Sequence, residues 1–500
     1  MQLLENLALG FSVALTVPNL IFCFVGCLLG TLIGVLPGVG PITGIALLIP
    51  ITFGMDSTTA LITMAGVYYG AMYGGSTTSI LLNVPGESSS VITCLDGYEM
   101  SKKGQAAKAL GISAIGSFVA GTFAVVVLNV VSEPIAEIAV TFGAPEYFAL
   151  TLLALSLLIS LGGKSLKKSL IAAVLGLMIS TIGADTFTNT YRFTFGTLQL
   201  VDGVSLIGVL VGLYAISEVM ENIENPEEQV FVKTKMRFRD MFPNKEESKI
   251  VFPTIFRSTI VGFLVGMLPG AGATMSSFLA YAFEKKISKH PERFGTGCIE
   301  GVAAPETANN SSTGGGMIMM LTLGIPGGGS TAVMLGALMV HGLRPGPLLF
   351  ETQPDFVWGF IASMYIGNII LILLNMPLIS LWVSLLRIPY NLLMPGIIAL
   401  ASIGVLATDF SITDVWTMIL FGVLGYIMKK VNIPKVPLAF GFIIGPMLEK
   451  NFRQALTLSR GNPAIFFSKP LSAVLLILTA TALLYPIVSA MFKKAKTEAA

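Results

Sequence analysis

Charged residues are scarce in this chain of 500 residues: Asp, Glu, Lys and Arg make up 12% of it, whereas 54% of the residues are hydrophobic. A soluble domain carries about 25% charged residues, so water is not the main solvent of this protein. Apolar stretches near the roughly 20-residue length of a membrane span recur along the chain. They include Phe11–Gly30, Leu150–Leu161, Leu170–Ile182, Ile361–Leu381 and Leu471–Ala490. We therefore predict an all-α polytopic membrane protein with about 12 transmembrane or part-spanning helices.

Several functional signatures are also missing. Four cysteines are too few and too scattered for a disulfide framework, and no basic patch points to nucleic acid. The absence of His-Glu-x-x-His and Gly-x-Ser-x-Gly patterns disfavours an intramembrane enzyme. Leu158 stands where a P-loop ending in Lys164-Ser165 would need glycine, so an ATP-driven motor is not expected. The N-terminus lacks the basic region of a cleavable signal peptide, so we expect the first apolar stretch to be retained.

The sequence contains an internal repeat. The segment Gly30–Gly40 matches Gly262–Gly272, the segment 82–90 matches 324–331, and the Pro145 region matches the Pro389 region, at offsets of 232, 241 and 244. Four regions follow: a first membrane repeat, a cytoplasmic linker, a second membrane repeat, and a C-terminal loop with a last span and basic tail (1–220, 221–257, 258–450 and 451–500).

Charge indicates that the two repeats have opposite topology, because Lys and Arg collect in cytoplasmic loops. Four pairs of equivalent loops differ in charge: Asp56 against Lys285–Arg293, Lys102–Lys108 against Arg344, Lys164–Lys168 against Asp409–Asp414, and Arg192 against Lys429–Lys435. Inverted-topology repeats are typical of secondary transporters. Four basic residues do not fit the simplest topology: Lys450, Arg453, Arg460 and Lys469.

Glycine and proline interrupt both repeats at matching places. Leu36–Pro41, Val84–Gly86 and Ile325–Gly329 cannot form continuous helix, because proline removes a donor and glycine releases the backbone. Such segments must be buried in protein or line a wet cavity. We therefore predict broken helices or re-entrant hairpins that form a transport site.

Residues 1–101 contain no Lys or Arg, so an anion bound there must be held by helix N-termini, hydroxyl groups and bound cations. We predict that substrate binds at the two Pro-Gly breaks. The predicted residues are Pro85, Gly86, Ser88, Ser89 and Ser90 in the first repeat, and Pro326, Gly327, Gly328, Gly329, Ser330 and Thr331 in the second. The alternative, that the serines only cap half-helices, stays open.

Backbone carbonyls and oxygen-bearing side chains near the breaks suit Na⁺ as a coupling ion. The predicted cation-binding residues are Gly38, Gly40, Ser76, Thr77, Asn83, Gly270, Gly272, Glu306, Asn309, Asn310 and Ser311. Glu306 is either a proton or Na⁺ site, as a buried carboxylate in a membrane suggests, or the cap of a helix start. We expect no organic cofactor and no metal other than Na⁺.

Energetics favour coupled transport. Importing a trianion against a 100 mV potential that is negative inside costs roughly 7 kcal/mol, at about 2.3 kcal/mol per charge. Net uptake therefore needs co-transported cations. A passive anion channel or facilitator remains the alternative, since the same breaks suit a pore lining.

The chain resembles the large membrane subunit of the tripartite tricarboxylate transporter family (TctA type) along nearly its full length. In the first half the resemblance is carried by Gly34–Gly44, Tyr68–Gly75, Asn83–Ser90, Asp96–Tyr98, Arg192–Gly196 and, after the linker, Gly266–Ala273. Further on it is carried by Phe294-Gly295, Glu300–Glu306, Asn309-Asn310, Leu323–Gly327 and His341–Pro347. The stretches 184–191 and 317–320 depart from the family pattern and leave the substrate open.

The resemblance implies cation-coupled uptake, Na⁺ being the expected ion, of citrate or a related carboxylate across the bacterial inner membrane. It also implies two partners, a periplasmic solute-binding protein that delivers substrate and a small membrane subunit.

Overall fold

The structure is a computed structural model that describes residues 2–36, 40–161, 165–185, 187–224, 238–379, 381–382 and 390–498. Gly38, a predicted cation-binding residue, lies outside the described residues. So do 225–237 of the predicted linker and Pro389 of the third repeat match.

The first part of the chain is helical apart from one very short β-ladder. Its α-helices are α1 (Gln2–Ala14), α2 (Val17–Val35), α3 (Pro41–Thr52), α4 (Ser57–Leu82), α5 (Thr93–Lys102), α6 (Ala106–Val140), α7 (Ala144–Leu161), α8 (Leu166–Ser180), α9 (Leu206–Val211) and α10 (Ser217–Glu224). Short 3₁₀ turns lie at Ser88–Val91 and Leu198–Leu200, and a π-helical turn at Gly212–Ile216 joins α9 to α10. Strands β1 (Gly183–Ala184) and β2 (Tyr191–Arg192) pair antiparallel.

The second part contains helices and loops, with no β-strand in the described residues. Its α-helices are α11 (Lys245–Gly266), α12 (Gly272–Ile287), α13 (Glu300–Leu323), α14 (Gly329–Val340), α15 (Leu348–Thr352), α16 (Pro354–Asn375), α17 (Tyr390–Asp409), α18 (Ile412–Lys430), α19 (Lys435–Leu458), α20 (Ile465–Ser468) and α21 (Pro470–Glu498). Short 3₁₀ turns lie at Phe238–Met241 and Pro291–Arg293.

Within the described residues, six helices are long and apolar enough to cross a membrane, namely α2, α6, Leu206–Glu224, α11, α16 and α18, and six more apolar helices are shorter. This agrees with the predicted all-α polytopic membrane protein. The prediction of one span over Phe11–Gly30 is wrong, because α1 ends at Ala14 and a new helix begins at Val17. Pro18 lies in the first turn of α2, where a missing N–H costs nothing.

Glycine brings helix backbones into direct contact, in the same way in both parts of the chain. A Cβ atom on Gly30 of α2 would lie 2.6 Å from the carbonyl oxygen of Val67 in α4. A Cβ on Gly262 of α11 would lie 2.5 Å from the Cα of Ala308 in α13. Gly262 follows Gly30 by 232 positions, and Ala308 follows Val67 by 241 positions, which are the offsets of the sequence repeat. Small residues at such positions allow close helix packing in a membrane.

Asp96 of α5 joins the first part of the chain to the second. Its fully buried carboxylate accepts hydrogen bonds from the N–H groups of Gly295, Gly297 and Cys298 at 2.7–3.0 Å, and from the hydroxyl of Tyr281 at 2.9 Å. Hydrogen bonds to an ionised acceptor are about twice as strong as neutral ones. The loop between α12 and α13 is therefore fixed to α5.

An ion-pair cluster contains Arg453, one of the basic residues that did not fit the charge pattern. Arg192 of β2 lies 2.7 Å from Glu449 of α19, and Arg453 lies 2.5 Å from Asp185. The Arg453 guanidinium, together with backbone N–H groups, lowers the pKa of Asp185 below its usual range. Arg453 therefore lies on the same side of the protein as Arg192, and Asp185 and Glu449 offset the positive charge of both arginines.

The glycine contact at the second break provides a test of this packing. A Cβ on Gly327 would lie 2.9 Å from the Cα of Gly316, so Gly327→Ala must displace the backbone. We expect a loss of about 1–3 kcal/mol, as for an overpacked core, seen as a lower Tm of the purified protein. Gly54→Ala is the control, because a Cβ there meets no atom within 4 Å. Equal Tm values for the two variants would contradict the packing described.

Candidate functional site

Both predicted Pro-Gly breaks follow a helix that ends in the same way. Asn83 ends α4 with φ 59°, and Gly324 ends α13 with φ 69°. This left-handed conformation is common at helix C-termini and suits glycine or asparagine. Asn83 and Gly324 differ by 241 positions, so the repeat in sequence is matched by a repeat in backbone conformation.

The N-termini of four helices that follow chain breaks lie in contact. They join the two parts of the chain. The hydroxyls of Ser88 and Thr274 are hydrogen-bonded at 2.9 Å, which joins the first Pro-Gly break to α12. A Cβ on Gly329, at the start of α14, would lie 2.6 Å from the side chain of Ile42 in α3.

Two further contacts complete this convergence. The N–H of Gly272 donates to the carbonyl oxygen of Gly327 at 3.1 Å. A Cβ on Gly40 would lie 3.9 Å from that of Glu87. We call the region formed by residues 40–42, 85–90, 272–274 and 326–331 the convergence site.

The first Pro-Gly break is capped from within. The buried carboxylate of Glu87 accepts the N–H of Ser89 at 2.8 Å and is also hydrogen-bonded by the Ser89 hydroxyl. Ser90 Oγ donates to the carbonyl oxygen of Glu87 at 2.8 Å and accepts from the hydroxyl of Ser79 at 2.8 Å. Ser89 and Ser90 therefore use their hydroxyls inside the turn, whereas Ser88 is exposed.

The second Pro-Gly break has the same backbone arrangement without the carboxylate. Thr331 Oγ1 accepts from the N–H of Gly328 at 2.9 Å and donates to its carbonyl oxygen at 3.0 Å, as Ser90 does with Glu87. Gly328 stands in the position of Glu87, 241 residues earlier. The hydroxyl of Ser330, which is 7% exposed, has no hydrogen-bond partner within the described residues. The start of α14 therefore lacks the anionic cap that the first break supplies for itself.

The residues that define the convergence site include no Lys, Arg or His. Lys435 is close to the site in sequence, because the next residue, Val436, lies beside Gly329. Its ammonium group donates to Glu221 at 2.6 Å and to the hydroxyl of Ser217 at 2.7 Å. An anion here would be held by N–H groups and hydroxyls, as helix N-termini allow.

Glu306 lies in a buried polar cluster between α5, α6 and α13. Its fully buried carboxylate accepts hydrogen bonds from the hydroxyls of Thr93 and Ser113 and, at 3.4 Å, from the side-chain amide of Asn309. It makes no ion pair with a basic side chain in the described ranges. Glu306 is the seventh residue of α13, so it does not cap the start of that helix.

Six of the other predicted cation-binding residues fall into two groups. Gly40, Asn83, Gly270 and Gly272 lie at helix ends beside the chain breaks, whereas Asn309 and Asn310 lie beside Glu306.

Three predicted residues belong to neither group. Ser76 Oγ donates to the carbonyl oxygen of Tyr73 in its own helix, and Ser311 Oγ donates to that of Thr259. Thr77 is buried inside α4.

Sequence reasoning missed several residues of these sites. Thr93, Ser113 and Thr274 are ordinary polar residues in the sequence, and only the fold brings them into contact. Glu87 had a detectable signal, because it is an acid where the aligned repeat has Gly328.

A cross-link tests the meeting of the two parts of the chain. In Ser88→Cys/Thr274→Cys, sulfur atoms replace oxygens that lie 2.9 Å apart, and an S–S bond of about 2.0 Å can form with little movement. We expect mild oxidation to yield a peptide joining positions 88 and 274, detected by mass spectrometry. Ser88→Cys/Ser277→Cys is the control, because Ser277 Oγ bonds to Pro305 instead. Absence of the first cross-link, or equal yields, would contradict the geometry.

Comparison with known proteins identifies the family of the chain. Residues 20–440 match the model of the "Tripartite tricarboxylate transporter TctA family". The chain is 44% identical over 477 residues to an "Uncharacterized 52.8 kDa protein in TAR-I ttuC' 3'region" of Agrobacterium vitis, which covers 95% of this chain and 94% of the relative. A second protein of that organism, "Uncharacterized protein in TAR-II ttuC' 3'region", is 46% identical over 215 residues, 43% of this chain and 89% of the relative. No solved structure matches the chain. The chain is therefore a multi-pass membrane protein that belongs to the tripartite tricarboxylate transporter TctA family.

Proposed function

We propose that this protein is a secondary active transporter that imports a small carboxylate, such as a tricarboxylate or dicarboxylate, across the bacterial inner membrane. Uptake is coupled to cations, Na⁺ in the first instance. A periplasmic solute-binding protein delivers the substrate, and a small membrane subunit completes the assembly. Membership of a transporter family supports this function over an enzymatic one.

The proposal rests on one difference between the two Pro-Gly breaks, which is the acid that is present only at the first. At the first break, the Glu87 carboxylate binds the N–H group of Ser89. At the second, glycine replaces this acid, and the Ser330 hydroxyl has no partner in the described residues. A substrate carboxylate bound to the start of α14 would occupy the place equivalent to that of Glu87. The positive end of the helix dipole favours an anion at that position.

The matched contacts at offsets of 232 and 241 residues support two structural repeats, and the exchange of charge between equivalent loops supports their inverted topology. In such transporters, substrate binds near the bilayer midplane where the repeats meet, between broken helices. The convergence site likewise joins the two repeats, because Ser88 contacts Thr274 and Gly329 contacts Ile42.

Coupling is supported by the buried carboxylate of Glu306, which forms no ion pair with a basic side chain of the described residues. A buried ionised carboxylate is costly unless positive charge lies near it. A bound cation offsets this cost and balances part of the charge of the substrate.

A passive anion channel is the alternative, since the same helix starts could line a pore. The distinguishing measurement is uptake of labelled carboxylates, including citrate, tricarballylate and tartrate, into proteoliposomes that contain this chain with its small subunit and binding protein. A coupled carrier accumulates substrate above equilibrium only with an inward Na⁺ gradient. Equilibration without regard to the gradient would establish the channel and overturn the carrier.

The Ser330 hydroxyl provides a specific test of the substrate position. Ser330→Ala removes one donor to a charged ligand, an interaction of about 1.5–3 kcal/mol. We expect KM for the carboxylate to rise about tenfold or more, with unchanged amounts of folded protein. The control is Ser132→Ala, because the Ser132 hydroxyl is buried and donates only to the Leu128 carbonyl oxygen. If both variants keep the KM of the unmodified protein, substrate does not contact Ser330.

A further inference from the structure

A small cavity lies between α4, α6, α13 and α16, apart from the convergence site. Its volume of about 10 Å³ is near the minimum for one water-sized particle. Its polar lining comes from Tyr69, Tyr73, Asn310, Thr313 and Asn368, and each of these side chains is 6% exposed or less. Polar groups buried in a membrane protein at such density are usually functional.

The hydroxyl hydrogens of Tyr73 and Thr313 are donated to neighbouring protein groups. Tyr73 donates its hydroxyl hydrogen to the Asn368 side-chain oxygen at 2.7 Å. Thr313 donates to the Asn310 carbonyl oxygen at 2.7 Å. Each hydroxyl oxygen retains lone pairs that can bind a ligand.

The side-chain amides of Asn368 and Asn310 also donate their hydrogens to other protein groups. The Asn368 amide donates to the carbonyl oxygen of Phe118 and to the hydroxyl of Thr122, both at 2.9 Å. The Asn310 amide donates to the hydroxyl of Ser117 at 2.7 Å and to the carbonyl oxygen of Glu306 at 3.0 Å. Backbone carbonyls accept only, so these contacts fix which side-chain atom is nitrogen.

The lining therefore offers four oxygen acceptors: two hydroxyl oxygens whose hydrogens are donated to other groups, and two amide side-chain oxygens. The hydroxyl of Tyr69 is buried without a hydrogen-bond partner in the described residues, and its oxygen adds a fifth acceptor when the hydrogen turns away from the cavity. Acceptors that outnumber free donors in this way disfavour an anion and suit a small hard cation, which prefers oxygen ligands.

A chain of amides connects the cavity to one negative charge. The Asn310 amide nitrogen also lies 2.6 Å from the side-chain oxygen of Asn309, which competes with its other two acceptors for the two amide hydrogens. The Asn309 amide donates to the Glu306 carboxylate at 3.4 Å. The lining itself is neutral, so one carboxylate without an ion-pair partner in the described residues calls for a single positive charge.

We propose that this cavity binds one Na⁺ ion through the oxygens of Tyr73, Asn310, Thr313 and Asn368, with Glu306 balancing its charge. The role of the ion in coupling rests on the proposed function. Thr313 lies one helical turn from Gly316 of α13, which contacts Gly327 at the second Pro-Gly break. Occupancy of the cavity therefore acts directly on the helix that supports the convergence site.

Thermal stability of the purified protein without carboxylate tests binding separately from transport. A ligand that binds only the folded state raises Tm as its concentration rises. We expect a saturable rise in Tm with NaCl that choline chloride at equal ionic strength does not produce. Direct binding of ²²Na⁺ to the same sample provides a second readout, with about one ion per chain.

Matched threonine variants locate the site. Thr313→Val keeps the shape of the side chain and removes one oxygen, so the half-saturating Na⁺ concentration should rise about tenfold or more. Thr322→Val is the control, because Thr322 is a buried residue of the same helix whose hydroxyl donates only to Ile318. Lack of a Na⁺-specific Tm rise and of ²²Na⁺ binding would overturn the proposal, as would equal losses in both variants. Either result would leave carboxylate uptake as a separate question.

Discussion

Direct contact between backbones is the constraint on which the rest of this structure depends. Gly86 lies against Gly75, and Gly327 lies against Gly316, at spacings that leave no room for a Cβ. Only this proximity allows a non-helical segment to remain inside a membrane protein, where unpaired N–H and C=O groups must be buried against protein or face a wet cavity. These contacts hold each break against the helix that precedes it.

The breaks were predictable because proline and glycine act locally. A Pro-Gly pair at matching places in two repeats cannot be continuous helix in either, and the left-handed residues Asn83 and Gly324 stand just before each one. The division of Phe11–Gly30 was missed although Pro18 marks it, because an apolar run alone does not distinguish one span from two shorter helices.

Contacts between residues that are far apart in the chain could not be predicted from the sequence. Glu306 was singled out as a buried acid, but its hydroxyl partner Thr93 lies 213 positions away, and Tyr73 and Asn368 are 295 positions apart. Such pairs depend on which helices pack together, and a single sequence does not contain that information. Comparison of the two repeats was more informative than either repeat alone, since the exchange of Glu87 for Gly328 marks where they differ in charge.

The hydrogen bonds around Asp96 have a consequence for motion. Asp96 lies ten positions after Gly86 of the first Pro-Gly break, and the loop that it holds leads directly into α13. Glu306 lies on α13 and is bonded to Thr93 of α5, so two separate attachments join these helices. A displacement of α5 that kept these buried hydrogen bonds would therefore carry α13 and the Glu306 cluster with it.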